Sequence, residues 1–515
     1  MEIERDEFTD WRGRSIQSKK HGGTRGATFP CVVEVLENMV FISNASNFVT
    51  YFKSSMHYPI AQAANMVTNF MGTSFLFTIF GGFFSDAFFT RFWTFNLFGI
   101  LELVGLIILT IQAHNTQLQP PTGRKPSSSQ SAMLYTGLYA MAVGVGGVKA
   151  SLPALGADQF DPSNKRLISS FFNWFFFSLC TGGLLAVTIM VWVQENIGWN
   201  WGFKISLMVF CLALCIFFVG CPFYRCKRPG GSPLTRFLKV LASTIRNRKA
   251  SPQEKNQNEV DGRSHNKFRF LNKALVDNTI SSAQVEEART FLGLLPIFAS
   301  TIMMNCCLAQ LQTFSVQQGS IMNKKLSRGF EIPTPSLAVF PLTIMLVSIP
   351  LYERMASLFF KSSSPKGYEL HPLRRIGTGL VLASGSMAVA AVVESMRRRA
   401  ANRNVTLSVF WLVWQYLLLG FSDMLTLGGM LEFFYSEAPD RMRSMCTALS
   451  WCSTSMGYFL SSVLVSVANS VTQKFGAAWL GGNDLNHNRL DLFYTLLCVL
   501  NFLNFLNYMY WAKRY

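Results

Sequence analysis

Twelve apolar runs, each long enough to cross a bilayer, constrain this chain more than any other feature. A spanning helix needs about 20 predominantly apolar residues. Runs of that length fall at 28–52, 65–86, 92–113, 131–153, 167–193 and 201–222, and again at 288–316, 335–360, 373–394, 406–434, 444–468 and 489–511. Backbone amides in hydrocarbon have no water to bond, so each run reads as a helix. Between the two sets lies Arg225 to Asn278, rich in Lys, Arg, Ser, Asn and Gln, with a helical stretch at Leu234 to Ile245. The reading is an all-α integral membrane chain of twelve transmembrane helices. Residues 1–27 form a tail, 28–222 a first six-helix bundle, 223–285 a basic linker and 286–515 a second six-helix bundle.

Charge distribution sets the orientation. A net charge of +18 can signal nucleic-acid binding, but here the basic residues are concentrated between the apolar runs. That pattern fits the positive-inside rule and no nucleic-acid partner is expected. Arg246, Arg248 and Lys249 place the linker in the cytoplasm, and an even number of spans puts both ends of the chain there too. Arg397, Arg398, Arg399 and Arg403 run against the rule, because they fall between spans nine and ten on the other side. The start of the chain, Met1 to Arg25, is polar and mixed in charge, so no cleavable signal peptide is expected. The eleven cysteines are scattered without metal spacing, and no Ser/His/Asp or Cys/His set or phosphate loop is present. Neither an enzyme nor a cofactor is expected.

Charged residues inside the spans are therefore the candidates for chemistry. A charge at the bilayer centre costs about 2.5–3.5 kcal/mol on insertion scales and by default marks a functional site. Lys149 sits within span four, next to Gly144, Gly146 and Gly147, where missing side chains let a neighbouring helix approach. In span one, Glu34, Glu37 and Asn38 are three and four residues apart and share a helix face. Burial favours a protonated carboxyl and a nearby cation favours an ionised one, the competition a proton-coupled carrier needs. At least one of Glu34 and Glu37 is expected to be protonated at neutral pH. In span ten, Glu432 lies in an aromatic setting, while Asp423, nine residues earlier, projects to the opposite face and is set aside. No histidine falls within a span.

Several segments, in order, resemble one family. Gly144-Val-Gly-Gly-Val-Lys149 followed by Leu155-Gly-Ala-Asp158-Gln-Phe-Asp161 is similar to the fourth-helix signature of the plant nitrate/peptide transporter (NRT1/PTR) family. That family is a proton-dependent oligopeptide transporter branch of the major facilitator superfamily. Gly82-Phe-Phe-Ser-Asp86 with Arg91 resembles the superfamily's loop signature, a charge clasp on the cytoplasmic side. Gln310 to Gly319 and Glu432-Phe-Phe-Tyr435 also match the family's stretches.

The resemblance implies a major facilitator fold with two six-helix halves and a midplane site. It implies proton coupling through Glu34, Glu37, Lys149 and Glu432, solute contacts from Asn38, Gln310, Trp414 and Glu432, and a cytoplasmic gate of Asp86, Arg91 and Asp158. The partners it implies are a small solute, protons driven by their gradient, the lipid of a plasma membrane, and regulatory kinases at the linker. Asn38 stands where the family has Arg or Lys, Ala150 and Trp414 where it has proline, and Phe176 and Cys180 where it has Tyr and Asn. These departures tilt the solute toward a weakly acidic, largely apolar molecule such as abscisic acid or gibberellin, with nitrate the other candidate. The alternative they raise is a sensor that keeps the fold but has lost turnover.

Overall fold

Helices account for most of the described residues. The computed structural model describes residues 8–16, 20–58, 60–121, 124–231, 233–247, 268–277, 280–327, 330–331, 337–360, 371–439, 442–475, 479–480, 486 and 488–515. The first half contains α1 (Gly23–Ser54), α2 (Ile60–Ala87), α3 (Arg91–His114), α4 (Ser128–Ala157), α5 (Lys165–Asn196) and α6 (Trp199–Val219). The linker contributes α7 (Pro233–Arg246). The second half contains α8 (Ser282–Gln312), α9 (Phe314–Ser320), α10 (Val339–Phe360), α11 (Pro372–Ala401), α12 (Val413–Ser436), α13 (Arg443–Gln473) and α14 (Leu490–Arg514).

Eleven helical stretches among the described residues are long and apolar enough to cross a membrane, and α10 supplies the twelfth with a shorter apolar stretch, Val339–Tyr352. Span seven is split: the helix breaks at Thr313 and resumes as α9. Local chemistry fixes several starts. Ser127 and Gln130 form a capping box at α4, and Ser281 and Gln284 form another at α8.

Close packing in the first half follows from small residues. Gly147 lies against the ring of Phe98 in α3 and the backbone of Gly81 in α2, so a side chain there has no room. On the linker side the tail is tied down, with Phe8–Thr9 pairing to Cys226–Lys227 as a short antiparallel ribbon. Val240 of α7 packs with Leu271, Ala274, Val285 and Ala288 in a small apolar cluster of its own. Arg248 and Lys249, and most of the stretch where kinases were expected, lie outside the described residues.

The arginines that ran against the orientation rule have a physical explanation. Helix α11 continues past the expected end of span nine, to Ala401. Arg397 is buried and makes a two-pronged bond to Glu394, at 2.8 and 2.7 Å, and Arg398 pairs with Asp491 at 2.9 Å. Paired and partly buried charges do not act as free positive charge at the membrane surface.

Candidate functional site

Lys149 is the centre of a buried cluster between α1 and α4. Its ammonium donates to Glu37 Oε2 at 2.8 Å and to Asn38 Oδ1 at 3.2 Å, and lies 3.6 Å from Glu34 Oε1. All four side chains are buried. Asn38 faces two ways: it accepts from Lys149 and donates to the Leu179 carbonyl of α5 at 2.8 Å. A lysine or arginine has no acceptor and could not do this. Neither oxygen of Glu34 has a hydrogen-bond partner among the described residues. The ammonium also lies 5.1 Å from the ring of Phe41 and 5.3 Å from that of Trp451 in α13. Trp451 stacks on Phe75 of α2 with centroids 5.7 Å apart. The charge in the first half is therefore in direct cation–π contact with the second.

The linker-side ends of the two halves close on each other. Arg91, at the first position of α3, pairs with Asp158 at the end of α4 and lies 3.7 Å from Asp86. Asp86 accepts from the backbone N–H groups of Ser444 and Met445 at the start of α13, at 3.3 and 2.8 Å. A carboxylate is well placed there, because the first turn of a helix leaves its N–H groups unpaired and carries the positive end of the dipole. Arg91 Nε donates to Ser444 Oγ at 2.8 Å, and the Tyr435 hydroxyl of α12 donates to Asp158 at 2.7 Å. Gly82 admits the backbone of Met445 at this contact.

Glu432 belongs to a third group. It accepts from Arg375 of α11 at 2.8 Å, and the same guanidinium donates to Asn173 of α5 at 2.9 Å. Tyr352 lies 5.2 Å from that guanidinium. Glu432 is about one helical turn from Tyr435, so this group sits beside the linker-side closure.

Comparison with known proteins places this geometry. A family model described as the POT family matches residues 92–480. The chain belongs to the POT family. It is 58% identical over its full length to Protein NRT1/ PTR FAMILY 4.1 of Arabidopsis thaliana, covering all of that protein. It is 56% identical to Protein NRT1/ PTR FAMILY 4.2 of the same plant, with 99% of each chain covered. The crystal structure of the POT family transporter PepTSo superimposes with a TM-score of 0.69 at 21% identity, covering 95% of this chain and 99% of that one, which shows the shared fold. The chain is thus a multi-pass membrane transporter of the POT family, and not an enzyme.

Against this POT-family frame the residues singled out in the sequence fall into separate places. Glu34, Glu37, Asn38 and Lys149 converge, and so do Asp86, Arg91 and Asp158. Gln310 does not join either group: it donates to Ser461 Oγ at 2.7 Å and ties α8 to α13 within the second half. Trp414 was expected among the solute contacts. It is 60% exposed at the far end of α12 and turns outward, as amphipathic rings do at membrane interfaces. The neighbouring Gln415 is the buried residue, bonded to Ser315.

Three buried residues escaped the sequence reading. Arg375 reads as a residue near a span end. Trp451 reads as one more core aromatic in span eleven. Glu102, alone in span three, carried the signal that intramembrane ionisable residues always carry, and was passed over because no motif surrounds it.

Proposed function

We propose that this chain is a proton-coupled secondary transporter of a small anionic or weakly acidic solute at the plasma membrane, working by alternating access. A plant hormone such as abscisic acid or gibberellin, or nitrate, is the solute class. The observation that carries the reading is the Glu34–Glu37–Lys149 cluster, because it is buried in one half and touches the other through Trp451. A proton on Glu37 removes the closest counter-charge of Lys149. The ammonium then redistributes among Glu34, Asn38 and the faces of Phe41 and Trp451. A change of protonation is thereby felt at the contact between halves, which is what differential stabilisation of two global states requires.

Arg375 offers the second coupling point. Its bonds to Glu432 and Asn173 join α11, α12 and α5 across the two halves. Its Nε has no hydrogen-bond partner among the described residues. A proton on Glu432, or a solute anion competing for the guanidinium, weakens the pair and with it the link to Asn173. Opening toward the linker side then requires release of Arg91–Asp158, Tyr435–Asp158 and the Asp86 bonds to Ser444 and Met445.

Three features support a weak acid over a peptide. Asn38 is neutral, Phe176 and Cys180 present a buried apolar surface on α5, and the spans expected from the sequence hold no imidazole. The sensor alternative is not carried forward. Trp414 turns outward, Ala150 is buried against Gly81 of α2, and Asn38 is bonded into the cluster.

The test is uptake in a heterologous cell at acidic and neutral external pH, with abscisic acid, gibberellin, nitrate and a dipeptide. Uptake of one of the acids or of nitrate that rises with acidity supports the proposal. Uptake of the dipeptide alone, or saturable uptake with no dependence on pH, overturns it.

A further inference from the structure

Glu102 lies in the middle of α3, fully buried. Neither of its oxygens has a hydrogen-bond partner among the described residues. An ionised carboxylate left bare in a dry interior is too costly to persist, so a group in this position either holds a proton or has a cation within reach. Glu102 has such a neighbourhood. The charged groups acting on it are Glu37 and Glu34 of α1 and Lys149 of α4. From α2 and α6, the other helices packed on α3, no described charge acts on it.

Its position is built in by the backbone. Gly144 of α4 sits directly against the backbone N and Cα of Glu102, and any side chain at 144 would push α3 away. This close approach fixes the position of Glu102 on α3 relative to α4, the helix that carries Lys149.

Counting charge then decides what it does. The pocket contains one ammonium and three carboxyls, because Asn38 is neutral. Among the described residues no other Lys, Arg or His pairs with Glu34, Glu37 or Glu102. Lys149 is already bonded to Glu37 and Asn38, and Glu34 is next nearest at 3.6 Å. One positive charge cannot hold three negative ones in a medium of low dielectric.

We propose that Glu102 is a third proton site of this cluster, holding a proton while Glu37 is the partner of Lys149 and taking over as counter-ion when Glu37 is protonated. In that exchange the O–H bond on Glu102 breaks as one on Glu37 forms, directly or through a water. Lys149 remains an ammonium throughout, and the total charge of the pocket is unchanged. The inference rests on the proton-coupled reading above and names a site that reading lacks.

Infrared difference spectroscopy on the full chain reconstituted in lipid, titrated in pH with no solute present, tests it. At neutral pH the wild type is expected to show carboxylic-acid C=O stretching bands that shift in heavy water. Glu102→Gln is expected to lose one of these components, and Glu37→Gln to leave that component present at low pH and remove it as Glu102 becomes the partner of Lys149. Glu102→Asp moves the band instead of deleting it and carries the test if the glutamine variant does not fold. A Glu102→Gln or Glu102→Asp spectrum unchanged from wild type overturns the proposal. Because the assay contains no solute, an unchanged spectrum overturns this site even where uptake is acid-driven. Absent uptake overturns the transport reading even where the band is present.

Discussion

Lys149 in the first half and Arg375 in the second are both buried cations, and the two are treated differently. Arg375 in the second half has one carboxylate, Glu432, a neutral amide from Asn173 and an aromatic face from Tyr352. Among the described residues its one ion pair is with Glu432. Lys149 in the first half has Glu37 and Glu34 as ion-pair neighbours, Glu102 within electrostatic range, and several carboxyl oxygens with no hydrogen bond among the described residues. Charge there is out of balance. A proton displaces the carboxylate of a paired cation only at a cost, whereas a cluster with more carboxyls than cations holds protons at rest. On the proposed reading, proton exchange falls mainly to the first half, while the closure is shared between Asp86, Arg91 and Asp158 of the first half and Tyr435, Ser444 and Met445 of the second.

Removing the cations tests the contrast most strongly. Lys149→Met leaves its carboxyls without a counter-charge, and the loss of a buried partner, about 3 kcal/mol or more, corresponds to roughly 100-fold lower uptake. Adding Glu37→Gln to it is expected to restore little, because Glu34 and Glu102 remain. In the second half the pattern reverses. Arg375→Met alone is expected to cost about 3–5 kcal/mol of stability, and the double change Arg375→Met with Glu432→Leu to recover most of it. Thermal unfolding in detergent reads this. Equal recovery by the two double variants would erase the distinction.

Trp451 links the halves, so a smaller effect is expected there. Trp451→Leu keeps a smaller apolar side chain at the site but removes the cation–π contact, worth about 1–2 kcal/mol when desolvated, and acid-driven uptake is expected to fall roughly tenfold. Uptake at neutral pH should fall less, since the cluster then has less proton to exchange. The smallest effect belongs to Trp414. A surface change of about 0.5 kcal/mol or less means that Trp414→Ala alters uptake by less than roughly twofold. A large loss there would restore the view that this ring occupies the transport path.

Much of this was legible in the sequence, and the failures have physical causes. The twelve runs and their division in two follow from hydropathy, because lipid leaves a spanning backbone so few options. Glu34, Glu37 and Lys149 stand out because a charge in an apolar run has no cheap explanation. Glu102 met the same criterion but no local pattern, and its partners are on other helices. Arg375 and Trp451 matter only through contacts with α5, α12 and Lys149, which a one-dimensional reading cannot supply. Trp414 turns outward because the face of a helix on which a residue falls, and not its position along the span, decides what it meets. The Arg397 puzzle dissolves once a partner three residues away and a helix end past the expected boundary are known.

In the proposed mechanism the acid dependence of transport resides in the first-half cluster. The direct measurement is the external pH profile of solute uptake for wild type and Glu37→Gln side by side, at matched surface expression. Wild-type uptake is expected to rise as pH falls, and the variant's rise to be much shallower, with only Glu34 and Glu102 left to titrate beside Lys149. A variant that keeps the wild-type profile would contradict it and move the proton site elsewhere in the molecule.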